Sequence, residues 1–252
     1  MQKGGSLIAI VSDIHGNIDA WKAVLDDLAG YSVERIFCLG DIVGYGPAPA
    51  ECVQSIKDNC DATVMGNHEA MFFLSRQILE EDWEAAIGRP LQLANEQLNQ
   101  HQRAWLAELP LSKKNGPITL CHASLHEPAE FNYIDDTNAA TTHFSHQKSF
   151  VSFHGHTHFP VIWQSNPKTS ECTLHWATEK PVKLDKQKRY TINCGSVGQP
   201  RDGDPRASYL LYDHSDGIVL HRRVAYDLKR AFARFKNARL PEDNSARLLR
   251  GE

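Results

Sequence analysis

The chain lacks any C-x-x-C pair. Its six cysteines, Cys38, Cys52, Cys60, Cys121, Cys172 and Cys194, are scattered singly. That excludes a zinc ribbon and a thioredoxin-like redox motif. No apolar run approaches the ~20 residues that a membrane-spanning helix needs. The N-terminal stretch MQKGGSLIAIVSD has one lysine and a short apolar run ending in aspartate. It has neither the longer apolar core nor the small-residue cleavage site of a secretory signal. There is no excess of positive charge, since the formal net charge is −4. A mild negative balance repels a nucleic-acid backbone, so a phosphorylated ligand would require a local positive centre. Internal repeats, low-complexity tracts and a clear linker are also absent. The expectation is a single domain over residues 1–252 with reduced thiols, in the cytoplasm, with no membrane or nucleic-acid partner.

What the chain does have is a series of short apolar runs with polar ends. LIAIVSD (7–13), RIFCLGD (35–41) and ATVMGNHE (62–69) read as buried strands. NIDAWKAVLDDLAG and PAECVQSIKDN between them have helical spacing. This alternation argues for βαβ units and a parallel sheet, hence an α/β class. Residues 70–109 read as a helical insertion. They form either a lid over the strand ends or helices packed on the sheet face. PITLCHAS and SFVSFHGHTH give two more strands. VIWQS, CTLHWAT, RYTINCG, ASYLLYD and GIVLHRRV then read as antiparallel strands. A C-terminal helix and charged tail occupy 226–252.

The chemistry-bearing residues stand at the strand ends. Five runs finish, in order, with Asp13 and His15, Asp41, Asn67 and His68, His122, and His156 and His158. Ligands of an open α/β sheet bind beyond the carboxyl ends of its strands. Carboxylate, imidazole and carboxamide donors suit manganese, iron, zinc, cobalt or nickel. Asp13 and His15, like His156 and His158, are two apart, so both members of each pair can face one side. Asp41 has two oxygens and can bridge two ions. Asn67 offers a neutral oxygen. His154 lies within its strand and reads as a packed residue.

SDIHGN, GDIVGYGP, GNHE, CHAS and GHTH together resemble the motif series of the calcineurin-like metallophosphoesterase superfamily. INCGSVGQPRDGDPRASYLLYD, AECVQSIK and WLAELP extend the resemblance to a bacterial and archaeal subgroup of phosphodiesterase type, over nearly the whole chain. The resemblance implies a double β-sheet sandwich flanked by helices and a centre of two divalent ions. Manganese is the first expectation, with iron, zinc, nickel, cobalt or magnesium as alternatives. Asp13, His15, Asp41 and His158 would hold one ion. Asp41, Asn67, His122 and His156 would hold the other, and His68 would face the scissile phosphate. The implied activity is hydrolysis of phosphodiesters or small phosphorylated metabolites such as nucleotides. Two cations about 3.5–4 Å apart clamp a phosphoryl oxygen and generate the attacking hydroxide, while His68 stabilises charge or protonates the leaving group.

The sequence departs from the family pattern in three places. Cys194 replaces a proline, Glu69 replaces the commoner aspartate, and GDIVGYG lacks the G-D-x-x-D-R-G of serine/threonine protein phosphatases. The last departure removes a phosphate-clamping arginine and counts against a protein phosphatase. A scaffold module of the same fold is the other alternative, and such modules lose histidines that this chain keeps. Arg201 and Arg206 in QPRDGDPR are candidates for substrate contact through bidentate forks, with a loop-fixing salt bridge as the alternative. Asn17 and Tyr45 neighbour the motifs and are weaker candidates. His126, His143 and His146 read as surface residues, and His101, His175, His214 and His221 as solvated. Trp105, Trp163 and Trp176 read as core.

Overall fold

The computed structural model describes residues 6–75 and 85–252. β1 (Leu7–Val11) is buried at every position, as a central strand covered on both faces must be. It pairs in parallel with β2 (Val33–Cys38), which pairs in parallel with the two-residue β3 (Ala62–Thr63). On its other side β1 is antiparallel to β11 (Ala207–Asp213). β12 (Ile218–Val224) and the short β9 (Val182–Lys183) complete this sheet. The second sheet runs β4 (Ser112–Asn115), β5 (Ile118–Cys121), β6 (Val151–His154), β10 (Arg189–Asn193), β7 (Val161–Ser165) and β8 (Cys172–Trp176). β5, β6 and β10 are mutually parallel, and the outer strands are antiparallel. β4 reads SKKN and is largely exposed. Two lysines on an edge strand discourage pairing with another chain.

Alternation along the strands builds a sandwich. Ile8 and Ile10 of β1 point with Phe37, Leu210 and Tyr212 toward Leu120, Val151, Phe153 and Ile192 of the second sheet. Ala9 and Val11 point the other way, to Trp21 and Val24 of α1 (Ile18–Leu28) and Val53 and Ile56 of α2 (Pro49–Asn59). The outer face of the second sheet is covered by α6 (Thr137–His146), whose Ala140 and Phe144 meet Val161 and Trp163.

α3 (Asn67–Ser75), α4 (Ala85–Gln97) and α5 (Gln100–Ala107) extend the helical layer over the first sheet. Phe72, Leu91, Ala94 and Leu106 share a core with α2. Residues 76–84 of the expected insertion lie outside the described residues. α7 (Leu228–Asn237) packs with α8 (Glu242–Arg250) around Phe235, Leu240 and Leu248, seated on Leu93 of α4. The stretch read as a charged tail is therefore largely helical, because Leu248 gives it an apolar anchor. Among the described residues, no helix is long and apolar enough to cross a membrane.

Candidate metal centre

The ends of β1, β2, β5 and β6 and the N-terminus of α3 deliver their polar side chains to one point between the sheets. Asp13, His15 and His158 form one buried cluster. Asp41, His122 and His156 form another, and a third group of His15, Asp41 and His68 joins them. His158 Nε2 stands 3.2 Å from Asp13 Oδ1 and 3.2 Å from His15 Nε2. His122 Nε2 stands 3.0 Å from Asn67 Oδ1, 3.1 Å from His156 Nδ1 and 3.4 Å from Asp41 Oδ2. Asp41 Oδ2 is also 3.7 Å from His15 Nε2, so this one oxygen faces both clusters.

The donor set fits divalent cations. His15 Nδ1 is 3.1 Å from Val43 O, His122 Nδ1 is 2.8 Å from Leu39 O, and His158 Nδ1 bonds to Gln199 O. A carbonyl only accepts, so each Nδ1 carries the hydrogen and each neutral Nε2 is left with a lone pair. His15 and His158 therefore point two lone pairs at each other with no hydrogen between. Only a cation or an added proton makes that arrangement favourable. Metal–ligand bonds of about 2.1 Å place neighbouring donors roughly 3.0–3.4 Å apart in octahedral or tetrahedral geometry, which brackets the closest separations here. The electrostatics agree. Burial pulls His122 down, but the Asp41 and Asp13 carboxylates outweigh it and push it up to about 9. Burial raises Asp41, yet His122 and His68 hold it well below the usual carboxylate range.

The backbone is strained to aim these groups. Asp13, His15, Asp41, Tyr45, His156 and His158 all have positive φ, between 47° and 68°. Each such non-glycine residue costs about 1–3 kcal/mol and persists only where surrounding structure holds it. Glu69 is part of that hold. Its buried carboxylate accepts the amides of Asp41 (2.8 Å), Ile42 (2.8 Å), Val43 (3.1 Å) and Gly66 (2.9 Å). Burial and the adjacent Asp41 push Glu69 up to about 7, against the pull of those amides. The sequence marked Glu69 only as a departure, although a carboxylate three residues after Gly66 at a helix start is a capping signal. Asn193 braces the other half, donating from Nδ2 to Gly155 O (2.6 Å) and Thr157 Oγ1 (3.0 Å). The Cys194 amide donates to His154 O at 3.2 Å, a ladder bond that a proline there could not make.

His68 is buried beside the shared carboxylate, with Nε2 3.9 Å from Asp41 Oδ2. Its Nδ1 has no hydrogen-bond partner, and a Cβ on Gly44 would overlap it. The Nε2–H tautomer avoids an orphaned buried donor and aims the proton at the centre. Tyr45 lies edge-on to His15, with centroids 4.7 Å apart, and its hydroxyl is 3.4 Å from Arg201 Nη2. Tyr133 stacks on His156 at 4.1 Å while remaining 48% exposed, and Phe131 lies edge-on to His122. Sequence reasoning missed both, since nothing in FNYIDD marks them.

Other candidates are placed elsewhere. Asn17 caps α1 and donates to Gly198 O (3.0 Å) and the Tyr226 hydroxyl (3.2 Å). Arg206 directs its fork to Asp204 (2.7 Å) and Glu179 (3.3 Å), the loop-fixing arrangement. His154 is buried within β6, as read. Three readings are corrected. His143 is buried because Leu125 N (3.1 Å) and Ser152 Oγ (2.9 Å) satisfy both ring nitrogens. His221 is buried because it bonds to Asn193 O at 2.8 Å. Trp176 ends an outer strand and is 65% exposed.

A family model, the calcineurin-like phosphoesterase superfamily domain, matches residues 7–217. The chain belongs to that superfamily. It is thus a metal-dependent phosphoesterase by family, with His/Asp clusters able to hold metal where that chemistry needs them. Relatives are similar over nearly the whole chain. An uncharacterized protein of Methanocaldococcus jannaschii is 37% identical over 98% of both chains. The crystal structure of a metallophosphoesterase from Sphaerobacter thermophilus is 34% identical with a TM-score of 0.86. It covers 98% of this chain and 99% of that one. A symmetrical bis(5'-nucleosyl)-tetraphosphatase of Aromatoleum aromaticum is 30% identical over 127 residues, 47% of this chain and 44% of that protein.

Proposed function

We propose that the chain is a hydrolase of phosphodiesters or small phosphorylated metabolites, nucleotides among them, working through a dinuclear centre. Asp13, His15, Asp41 and His158 would hold one ion, and Asp41, Asn67, His122 and His156 the other. The observation that carries this reading is the pair of facing lone pairs on His15 and His158, with one Asp41 oxygen turned both to His15 and to His122 beside His156. Divalent cations supply charge neutralisation at the phosphoryl oxygens and acidify water. Manganese is the ion we favour for this mixed oxygen and imidazole set.

The chain's own residues do the rest. Asp41 draws the two half-sites together. His68, neutral because burial lowers its pKa, holds a proton on Nε2 for the developing charge or the departing oxygen. Tyr45 and Arg201 bound the substrate side, where a guanidinium can take a second phosphoryl oxygen. The six unpaired thiols suit a reducing compartment, and we place the chain in the cytoplasm as one domain. The test is reconstitution. Protein stripped with chelator should lose hydrolysis of bis(p-nitrophenyl) phosphate and regain it with manganese, with two ions bound per chain. No recovery with manganese, iron, cobalt, nickel or zinc defeats the proposal.

A further inference from the structure

The loop at 199–206 carries two arginines and two aspartates, and both aspartates are paired with arginines other than Arg201. Arg206 is paired with Asp204 and Glu179, and Arg223 with Asp202. Arg201 is the exception. Among the described residues no Asp or Glu side chain ion-pairs with it, and its buried Nε has no hydrogen-bond partner. Its guanidinium instead lies 5.9 Å above the Tyr45 ring. A buried, unpaired guanidinium donor is costly unless a ligand takes it.

A second arginine comes to the same tyrosine from the far end of the chain. α8 is fastened to both loops that flank the centre. Asn244 Nδ2 donates to Tyr45 O at 3.3 Å, and Gly203 N donates to Gly251 O at 2.9 Å. Arg247 follows Asn244 by three residues, so the two share a helix face. Burial raises the Tyr45 phenol, and the positive charges of Arg201 and Arg247 both pull against that rise. Arg247 also ion-pairs with no Asp or Glu side chain among the described residues. Its Nε donates to Glu252 O at 3.2 Å. Arg247 thus stands one helical turn from the Asn244 that holds Tyr45, Arg201 lies over the Tyr45 ring, and that ring packs against His15.

We infer that α8 is a wall of the active site, where Arg247 and Arg201 form an anion subsite for a second phosphate group of the substrate. This rests on the phosphoesterase reading and deepens it. The clusters take the phosphoryl group that is cleaved, and the arginine pair takes its neighbour. A phosphate offers enough charged oxygens to engage both guanidiniums at once. The favoured substrates are therefore those with two or more phosphates, rather than simple diesters.

Calorimetric titration of the manganese-loaded full chain with AMP and ADP tests this. We expect the ADP preference over AMP to shrink about tenfold in Arg247→Gln and in Arg201→Gln, with Arg247→Lys restoring part of it. Comparing each variant with the parent cancels chelation of the ion by the diphosphate. A preference unchanged within about twofold in both variants, with melting curves like the parent's, overturns the inference. Should Arg247→Gln not fold, Arg247→Lys and Arg201→Gln decide the question in its place. Failure of the parent to show metal-restored aryl diester hydrolysis would be a failure of the phosphoesterase reading instead.

Discussion

Two groups of histidines are equally buried in this molecule and do opposite things. His143 and His221 lie deep beside the second sheet with their hydrogen bonds satisfied. Leu125 N donates to His143 Nδ1, His143 donates to Ser152 Oγ, and Ser152 donates to Gln147 Oε1. Each donor there meets an acceptor. At the sheet edge, His15 and His158 turn hydrogen-free Nε2 atoms toward each other, and the Nε2 atoms of His122 and His158 face the carboxylates of Asp41 and Asp13. Burial alone thus says nothing about function. A pairing of donor with acceptor marks packing, and a meeting of acceptors marks a missing positive charge.

The sharpest way to break the contrast is to remove the shared carboxylate. Asp41→Asn is expected to abolish metal uptake at both clusters and with it turnover, read by elemental analysis and aryl diester hydrolysis. Next in size, His68→Ala is expected to lower kcat by about 10²–10⁴-fold while the bound-metal count stays as in the parent. A parent-like rate would remove His68 from the chemistry. Glu69→Gln should act more gently. Each Glu69 oxygen accepts two amides, so two of the four contacts lose their acceptor, destabilising the chain by about 1–3 kcal/mol for each and weakening metal affinity some 10–100-fold. Chemical denaturation and metal titration measure the two effects.

The smallest effect belongs to the packed group. Burial holds His143 at about 3, against 6.5 when exposed. The unfolded chain therefore takes up this proton first as pH falls, and native stability drains away below about 6.5. At pH 5 the loss is about 2 kcal/mol relative to pH 7. His143→Gln does not titrate, so its melting temperature should fall less over that interval, with activity retained. Identical pH slopes in parent and variant would show that His143 is not held neutral.

The sheet edge was legible because apolar runs end where their strands end, and Asp41 or His122 follows directly. The parallel order of β1, β2 and β3 then forces those ends together. What was not legible depends on partners remote in sequence. His143 and His221 read as solvated because their acceptors come from other strands. α6, with three threonines, has poor intrinsic helix propensity and is held by Ala140 and Phe144 against Trp163. α8 is mostly polar and owes its place to Leu248 and Asn244. The grip of Glu69 on four amides exists only once β2 and α3 have docked. Tyr133 reaches His156 from a loop whose Glu127 and Phe131 adopt left-handed backbone, which no pattern in the sequence announces.

The six left-handed residues around the centre set a limit on engineering. Variants selected solely for heat resistance will drift toward glycine or asparagine at positions 13, 15, 41, 45, 156 and 158, since those residues relax the bends. Such a population would grow sturdier as its catalysts fell silent.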